Sequence, residues 1–196
     1  MREEQIKISV VRWLLSQLES SEVIATELHF NNWQNRADIV VSSPNRLAAY
    51  EIKSSYDDFR RYSQQKEAYQ AAFLESYLVI PHAMLEIARE HLDRTTGVLT
   101  VDEFGIITRR RKSLVRTRLG KDDALGWLRV PDARKIQRSL GPALNIKELK
   151  APLATKVALE IVHERLRVRY DIFNRERGRV LTTDDLAILS SPTSVR

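Results

Sequence analysis

Arg36-Ala-Asp-Ile-Val-Val41 and Ala49-Tyr-Glu-Ile-Lys-Ser54 are the stretches that decide the fold of this chain. Both are strand-like runs in which an acidic residue interrupts apolar neighbours. Side chains alternate along a strand, so Asp38 and Val40 are expected on one side and Ala37, Ile39 and Val41 on the other. By the same rule Glu51 and Lys53 share a side, opposite Tyr50 and Ile52. The intervening Ser42-Ser-Pro-Asn45 is turn chemistry and predicts an antiparallel hairpin. Two carboxylates and an ammonium group then converge on one patch of sheet, a layout suited to holding a divalent cation against a phosphodiester.

Outward from the hairpin the periodicity supplies the rest of an α/β core. Ile6, Val10, Leu14 and Leu18 recur at helical spacing and predict a helix over residues 3–19. Val23 to Phe30 reads as a first strand, closed by a polar turn at Asn31-Asn32. Asp57 to Leu74 is expected to form an amphipathic helix burying Phe59, Tyr62, Tyr69 and Phe73. Ser76 to Ile80 is a short apolar strand, Met84 to Leu92 a helix, and Val98–Val101 with Gly105–Thr108 a small hairpin. The order is α-β-β-β-α-β with a trailing helix and hairpin, the pattern of a layered α/β domain.

Composition changes at Arg109-Arg-Arg-Lys112, after which helices are expected at about Asp122–Val130, Ala133–Leu140 and Leu153–Asn174. Pro131, Gly141-Pro142 and Pro152 punctuate them. The expected organisation is a core over residues 1–112, a basic helical appendage over 113–178 and a flexible tail over 179–196.

Apolar residues make up 43% of the 196 and charged residues 30%, which indicates a globular chain and not a disordered one. There is no cysteine, so disulfides, cysteine-ligated zinc and thiol catalysis are excluded. No apolar run reaches membrane-spanning length and the N-terminus carries no apolar signal region, so a cytoplasmic setting is expected. A net charge of +6 and a pI near 9.7 favour a polyanionic partner such as nucleic acid. Walker A loops, glycine-rich dinucleotide turns and nucleophile elbows are absent, and His29, His82, His91 and His163 lack metal-ligand spacing.

Glu-x-Lys alone is weak, and the chain carries its own control. Glu148-Leu149-Lys150 repeats the pattern in a helix-prone stretch with no acid-bearing apolar strand before it, and is expected to be a solvated surface. On spacing alone, the competing account of Glu51 and Lys53 is a cross-strand salt bridge on a half-exposed sheet. What separates the two is context. Asp38, Glu51-x-Lys53, the strand order and the following helix resemble the PD-(D/E)XK superfamily, whose fold is restriction-endonuclease-like. Within it the chain is similar to a small bacterial and prophage family of sce type. That family pairs an Arg-Ala-Asp strand with a Glu-Ile-Lys-Ser strand, then has an acidic position like Asp57 and a helix with a Gln-x-Glu-Ala-Tyr run, here Gln65-Lys66-Glu67-Ala68-Tyr69. The resemblance covers residues 3–112 well and the helical tail more loosely.

The resemblance implies a metal-dependent deoxyribonuclease in which Asp38 and Glu51 hold Mg²⁺ or Mn²⁺ with the backbone carbonyl of Ile52. Lys53 would orient the attacking water or neutralise charge developing on phosphorus. Glu27, sharing a face with Val23 and Ala25 by alternation, is a candidate extra ligand, against a plain solvent-facing acid. Glu3 is a candidate at the end of the sheet, although acids in a first helical turn are favoured by the helix dipole alone. Gln65 is expected to project toward the site, and Asp57 to cap its helix. Arg109, Arg110, Arg111 and Lys112, with Arg165, Arg169 and Arg175, are candidates for following a phosphate backbone, the bland alternative being a solvated face. Two rival accounts remain: a nucleic-acid-binding or assembly subunit that keeps the fold with little turnover, and an interaction module whose acids are structural. A homodimer or protein partner is open under all of them.

Overall fold

A six-stranded mixed sheet organises the computed structural model, which describes residues 1–31, 33–140 and 145–190. The first helix, Glu3–Leu15 (α1), ends four residues earlier than its periodicity suggests, and Leu18 packs on the core from beyond its end. Val23–Phe30 (β1), Asn35–Ser43 (β2) and Arg46–Ile52 (β3) form an antiparallel meander. The β2–β3 turn is tighter than expected. Ser42 pairs with Leu47 and Ser43 with Arg46, which leaves Pro44 and Asn45 to reverse the chain.

Phe59–Ala72 (α2) crosses over to Glu75–Pro81 (β4), which lies parallel to β3. A short helix, Leu85–Arg89 (α3), precedes Gly97–Val101 (β5), parallel to β4, and Ile107–Arg111 (β6) pairs antiparallel as the edge strand. Strand order across the sheet therefore follows chain order. The basic run lies within an edge strand, where charged side chains discourage further strand addition. The other edge is shielded, because Thr26 of β1 bridges to Ser190 and its hydroxyl donates to the Leu186 carbonyl at 3.0 Å.

Each face of the sheet has its own core. Val23, Ala25, Val40, Leu47 and Ala49 pack with Tyr69, Phe73 and Leu74 beneath α2, while Ile24, Ile39, Val41, Ala48 and Tyr50 pack against Ile6, Val10 and Leu14 of α1. An aromatic nest of Phe30, Tyr69, Phe73 and Trp127 anchors the first core, with Phe30 edge-on to Phe73 at 5.0 Å. Burying a side chain the size of Phe73 stabilises by roughly 1.5–3 kcal/mol, before any gain from ring geometry.

Lys121–Gly126 (α4), Val130–Leu140 (α5) and Ala151–Glu176 (α6) follow, with Pro131 and Pro152 in the first turns of α5 and α6, where their missing N–H costs nothing. These helices share the first core. Leu119, Ala124, Trp127, Ala158, Val162 and Leu166 all belong to it, and the Trp127 indole donates to the Ala72 carbonyl at 2.9 Å. Phe173, further along α6, joins the second core. The buried stripe of α6 runs through Ala154, Ala158, Val162 and Leu166, and its small alanines let the helix approach β1 and β2. His163 is buried there, its Nδ1 at 3.3 Å from the Ser42 carbonyl oxygen.

The segment expected to be a flexible tail contains a helix, Thr183–Leu189 (α7). Thr182 and Asp185 form a reciprocal capping box, and Leu186 and Leu189 are buried in the second core. The expected disorder missed that capping signal; residues 191–196 lie outside the described residues.

Candidate functional site

Alternation fails at the point where the acids gather. Glu27 has a left-handed backbone, φ 53°, and the β1–β2 ladder skips from Thr26–Ile39 to Leu28–Ala37. That break turns the strands by one position. Leu28, Phe30 and Ala37 consequently lie in the first core with Val23, Ala25 and Val40, not on the opposite face as strict alternation predicts. Extending the registers across the break places Glu27 opposite Asp38, and Asp38 opposite Glu51. Three acids are thus aligned across three strands.

Glu3, Asp38, Glu51, Ile52, Lys53 and Gln65 line one cavity of about 510 Å³, together with Arg36 and Asp57. Carboxylate oxygens of Glu3, Glu27 and Asp38 lie within 4.8 Å of one another. Glu51 is not part of that triad. Its Oε1 accepts from Lys53 Nζ at 2.6 Å and its Oε2 accepts from the Tyr69 hydroxyl. Lys53 Nζ also donates to Gln65 Oε1 at 3.1 Å, so Gln65 does project from α2 into the site. Ile52 donates its backbone N–H to Asp38 Oδ2 at 2.8 Å. Asp57 accepts from the Ser54 N–H and hydroxyl at 2.7 and 2.6 Å and closes the turn after β3.

Three further residues, none of them expected as a ligand or catalytic group, complete the site. Lys7 Nζ meets Glu27 and, at 3.3 Å, Glu3. Arg36 Nε pairs with Glu27 Oε2 at 2.7 Å. Tyr69 bonds Glu51 and the Arg36 carbonyl. Lys7 stands four residues after Glu3 on α1, a spacing that signals an ion pair, while Tyr69 was legible as a core aromatic and as the end of the Gln-x-Glu-Ala-Tyr run, with no sign of its bond to Glu51.

Charge in the cavity is incompletely answered. Burial and the neighbouring Glu51 push the Asp38 carboxyl up to about 8, against the weaker pull of Lys7 and the Ile52 N–H. Burial alone would lower the Lys7 ammonium, but its bond to Glu27 and the charges of Asp38, Glu27 and Glu3 carry it above its ordinary value. Burial and Glu51 push the Tyr69 phenol well above its ordinary range, so it stays a donor.

The chain matches the bacteriophage P4 protein cII family over residues 1–190. It belongs to that family. It is 25% identical to protein cII of Enterobacteria phage P4 over 97% of this chain and 78% of that protein. In fold, this cII-family chain is similar to a protein of unknown function from Silicibacter pomeroyi, at a TM-score of 0.50 and 17% identity over 92% of this chain and 99% of that one. The phage relationship agrees with the expected prophage kinship, although the family that matches is cII and not the sce type.

The basic candidates of this cII-family chain do not line the acidic cavity. Arg110 bonds Thr100 Oγ1 at 3.0 Å and reaches His82, and Arg111 bonds the Thr96 and Asp93 carbonyls at 2.9 and 2.5 Å. Arg165 is held by Asp132 at 2.8 Å and the Trp127 carbonyl at 3.2 Å, and Arg169 reaches the Ile188 carbonyl at 3.4 Å. Arg109, Lys112 and Arg175 are exposed. No helix among the described residues is long and apolar enough to cross a membrane.

Proposed function

We propose that this chain is a divalent-metal-dependent nuclease of PD-(D/E)XK type, acting on DNA. The observation that carries the proposal is the convergence of Asp38, Glu51, Lys53, Gln65 and Glu3 on one cavity, with Lys53 bonded to both Glu51 and Gln65 and the Glu27 carboxylate within 4.8 Å of those of Glu3 and Asp38. The donor set fits a hard cation. It offers oxygen donors, the carboxylates of Glu3, Glu27 and Asp38 foremost, and Asp38 is a buried carboxyl whose charge the chain leaves poorly compensated. Asp38 would hold Mg²⁺ or Mn²⁺ with Glu51 and the Ile52 carbonyl, or with Glu27 and Glu3.

When bound, such an ion polarises a phosphate and lowers the pKa of a coordinated water. The residues of the chain supply the rest. Lys53, buried and fixed between Glu51 and Gln65, presents its ammonium where negative charge grows on the phosphoryl oxygens. Gln65 orients Lys53 by accepting a hydrogen bond from its ammonium at Oε1. Tyr69 holds Glu51 in one rotamer. Hydrolysis joins the water oxygen to phosphorus and breaks one ester P–O bond, the departing oxygen taking up a proton.

A second account has its own support. Glu27 is already paired with Lys7 and Arg36, and Glu51 with Lys53 and Tyr69. A site so neutralised suits a nucleic-acid-binding subunit with little turnover. Incubating the chain with linear, circular and single-stranded DNA and with RNA, in Mg²⁺, Mn²⁺ or EDTA, separates the two. Cleavage that needs the metal and disappears in Asp38→Asn supports the nuclease; binding without metal-dependent cleavage supports the subunit.

A further inference from the structure

Beside the acidic cavity lies a second one, of about 320 Å³, and the two share a wall made of His29 and Trp33. The rings of this pair are 4.6 Å apart at 34°. Trp33 is 47% exposed and its backbone sits in the left-handed region at φ 69°, a conformation that disfavours bulky side chains. Stability alone favours glycine or asparagine at such a position. A strained, half-exposed tryptophan at a cavity mouth is the kind of outlier that points to use. Behind it, the buried Nδ1 of His29 has no hydrogen-bond partner among the described residues.

The far side of the second cavity is basic. Arg129 and Arg165 both line it and lie close enough for the charge of Arg129 to lower the Arg165 pKa, after burial. Arg165 is occupied by Asp132, whereas the guanidinium of Arg129 has no hydrogen bond or ion pair among the described residues. An exposed aromatic face therefore stands between a carboxylate cavity and an uncommitted cation.

We infer that Trp33 and Arg129 form a binding site for an unpaired DNA strand, running from the acidic cavity over the Trp33 ring into the neighbouring basic cavity. A base must leave its duplex stack to lie on an exposed tryptophan, whereas an arginine on the next phosphate accepts any sequence. The inference rests on the nuclease proposal in naming the polymer, and it specifies the form of that polymer: single-stranded, flapped or frayed DNA.

The test is binding of a fluorescein-labelled oligothymidylate, and of a duplex of equal length, to the full chain in EDTA, so that cleavage plays no part. The wild type should prefer the single strand. Trp33→Asn, which tolerates the left-handed backbone, should weaken single-strand binding about tenfold and leave duplex binding unchanged, while Trp33→Phe keeps most of the affinity. Arg129→Gln should lower the log–log salt slope for the single strand by roughly one unit. Should Trp33→Asn melt differently from the wild type, Trp33→Phe and Arg129→Gln carry the test. Single-strand binding that is unaffected by Trp33→Asn and Arg129→Gln, or lost equally for both DNAs, overturns the inference. Single-strand preference without metal-dependent cleavage retains this site and discards the nuclease.

Discussion

Two buried charged clusters sit at opposite ends of β3 and answer their charges differently. At the Arg46 end, one guanidinium reaches Glu75 Oε1 from Nε and Glu22 Oε1 from Nη1, each at 2.7 Å, and the Tyr77 hydroxyl donates to Glu75 Oε2 at 3.0 Å. Burial works against the Arg46 charge, yet the bonds to Glu75 and Glu22 more than offset it and raise its pKa. At the Glu51 end, Glu27 and Glu51 have cations, but Asp38 has one backbone N–H and, among the described residues, no ion pair. The first cluster is complete within the fold. The second leaves one carboxylate whose ionisation the fold opposes, so an external cation has something to gain there. Desolvation is common to both; what differs is whether the chain itself supplies the opposing charge.

The largest effects should come from the incomplete cluster. Asp38→Asn and Glu51→Gln should each lower metal-dependent DNA cleavage by about 10³-fold while the far-ultraviolet circular dichroism and melting transition persist. Cleavage at the wild-type rate in either variant would assign the activity elsewhere. The complete cluster should respond in the opposite sense. Arg46→Met leaves Glu22 and Glu75 buried without a counter-charge and should destabilise by roughly 3 kcal/mol in urea unfolding, with cleavage per folded molecule unchanged. If Arg46→Met were to reduce cleavage and not stability, the contrast between the two ends of β3 would collapse.

Acidity sharpens the contrast further. The Asp38 carboxyl titrates at about 8 in the folded chain, against 3.8 ordinarily, so the native state holds a proton that the unfolded chain has released over that interval. Unfolding there releases a proton, and stability must fall as pH rises. The contribution is complete below about pH 4 and is lost as pH climbs through about 8. Asp38→Asn removes it. Relative to the wild type, the variant should gain on the order of 2 kcal/mol between pH 5 and pH 8, measured by urea unfolding in EDTA. Parallel stability curves for the two chains would show that Asp38 is ionised throughout.

Much of this was legible in the residue order. Alternation and turn chemistry placed β2, β3 and the pairing of Glu51 with Lys53, because those depend on neighbours two to four positions away. Gln65 followed from the resemblance, through its Gln-x-Glu-Ala-Tyr run. What could not be read was any contact set by a break in the pattern or by distant packing. The left-handed backbone at Glu27 reset the faces of Leu28, Phe30 and Ala37, and nothing in a glutamate announces positive φ. Lys7 reaches Glu27 only because α1 packs over the sheet, and Tyr69 reaches Glu51 only because α2 does. The helix at Thr183–Leu189 was legible after all: Thr182 and Asp185 stand at capping-box spacing before Leu186 and Leu189.

The smallest effects belong to the arginines, where the distinction between committed and uncommitted charge applies again. Arg165 spends its guanidinium on Asp132 and the Trp127 carbonyl, fastening α6 to the start of α5, whereas the side chains of Arg175 and Lys112 are exposed and have no hydrogen bond or ion pair among the described residues. A phosphate contact releases counterions only if the cation is free to make it. Arg175→Gln and Lys112→Gln should therefore each reduce the log–log salt slope of DNA binding by up to about one unit, equally for unrelated sequences, with no change in melting. Arg165→Gln should do the reverse, lowering stability by about 1 kcal/mol, because its pair with Asp132 is partly solvated, while the slope stays as in the wild type. A slope that drops with Arg165→Gln and holds with Arg175→Gln would mean that DNA draws Arg165 away from Asp132, and that the bonds within the chain are poor guides to which cations meet the phosphates.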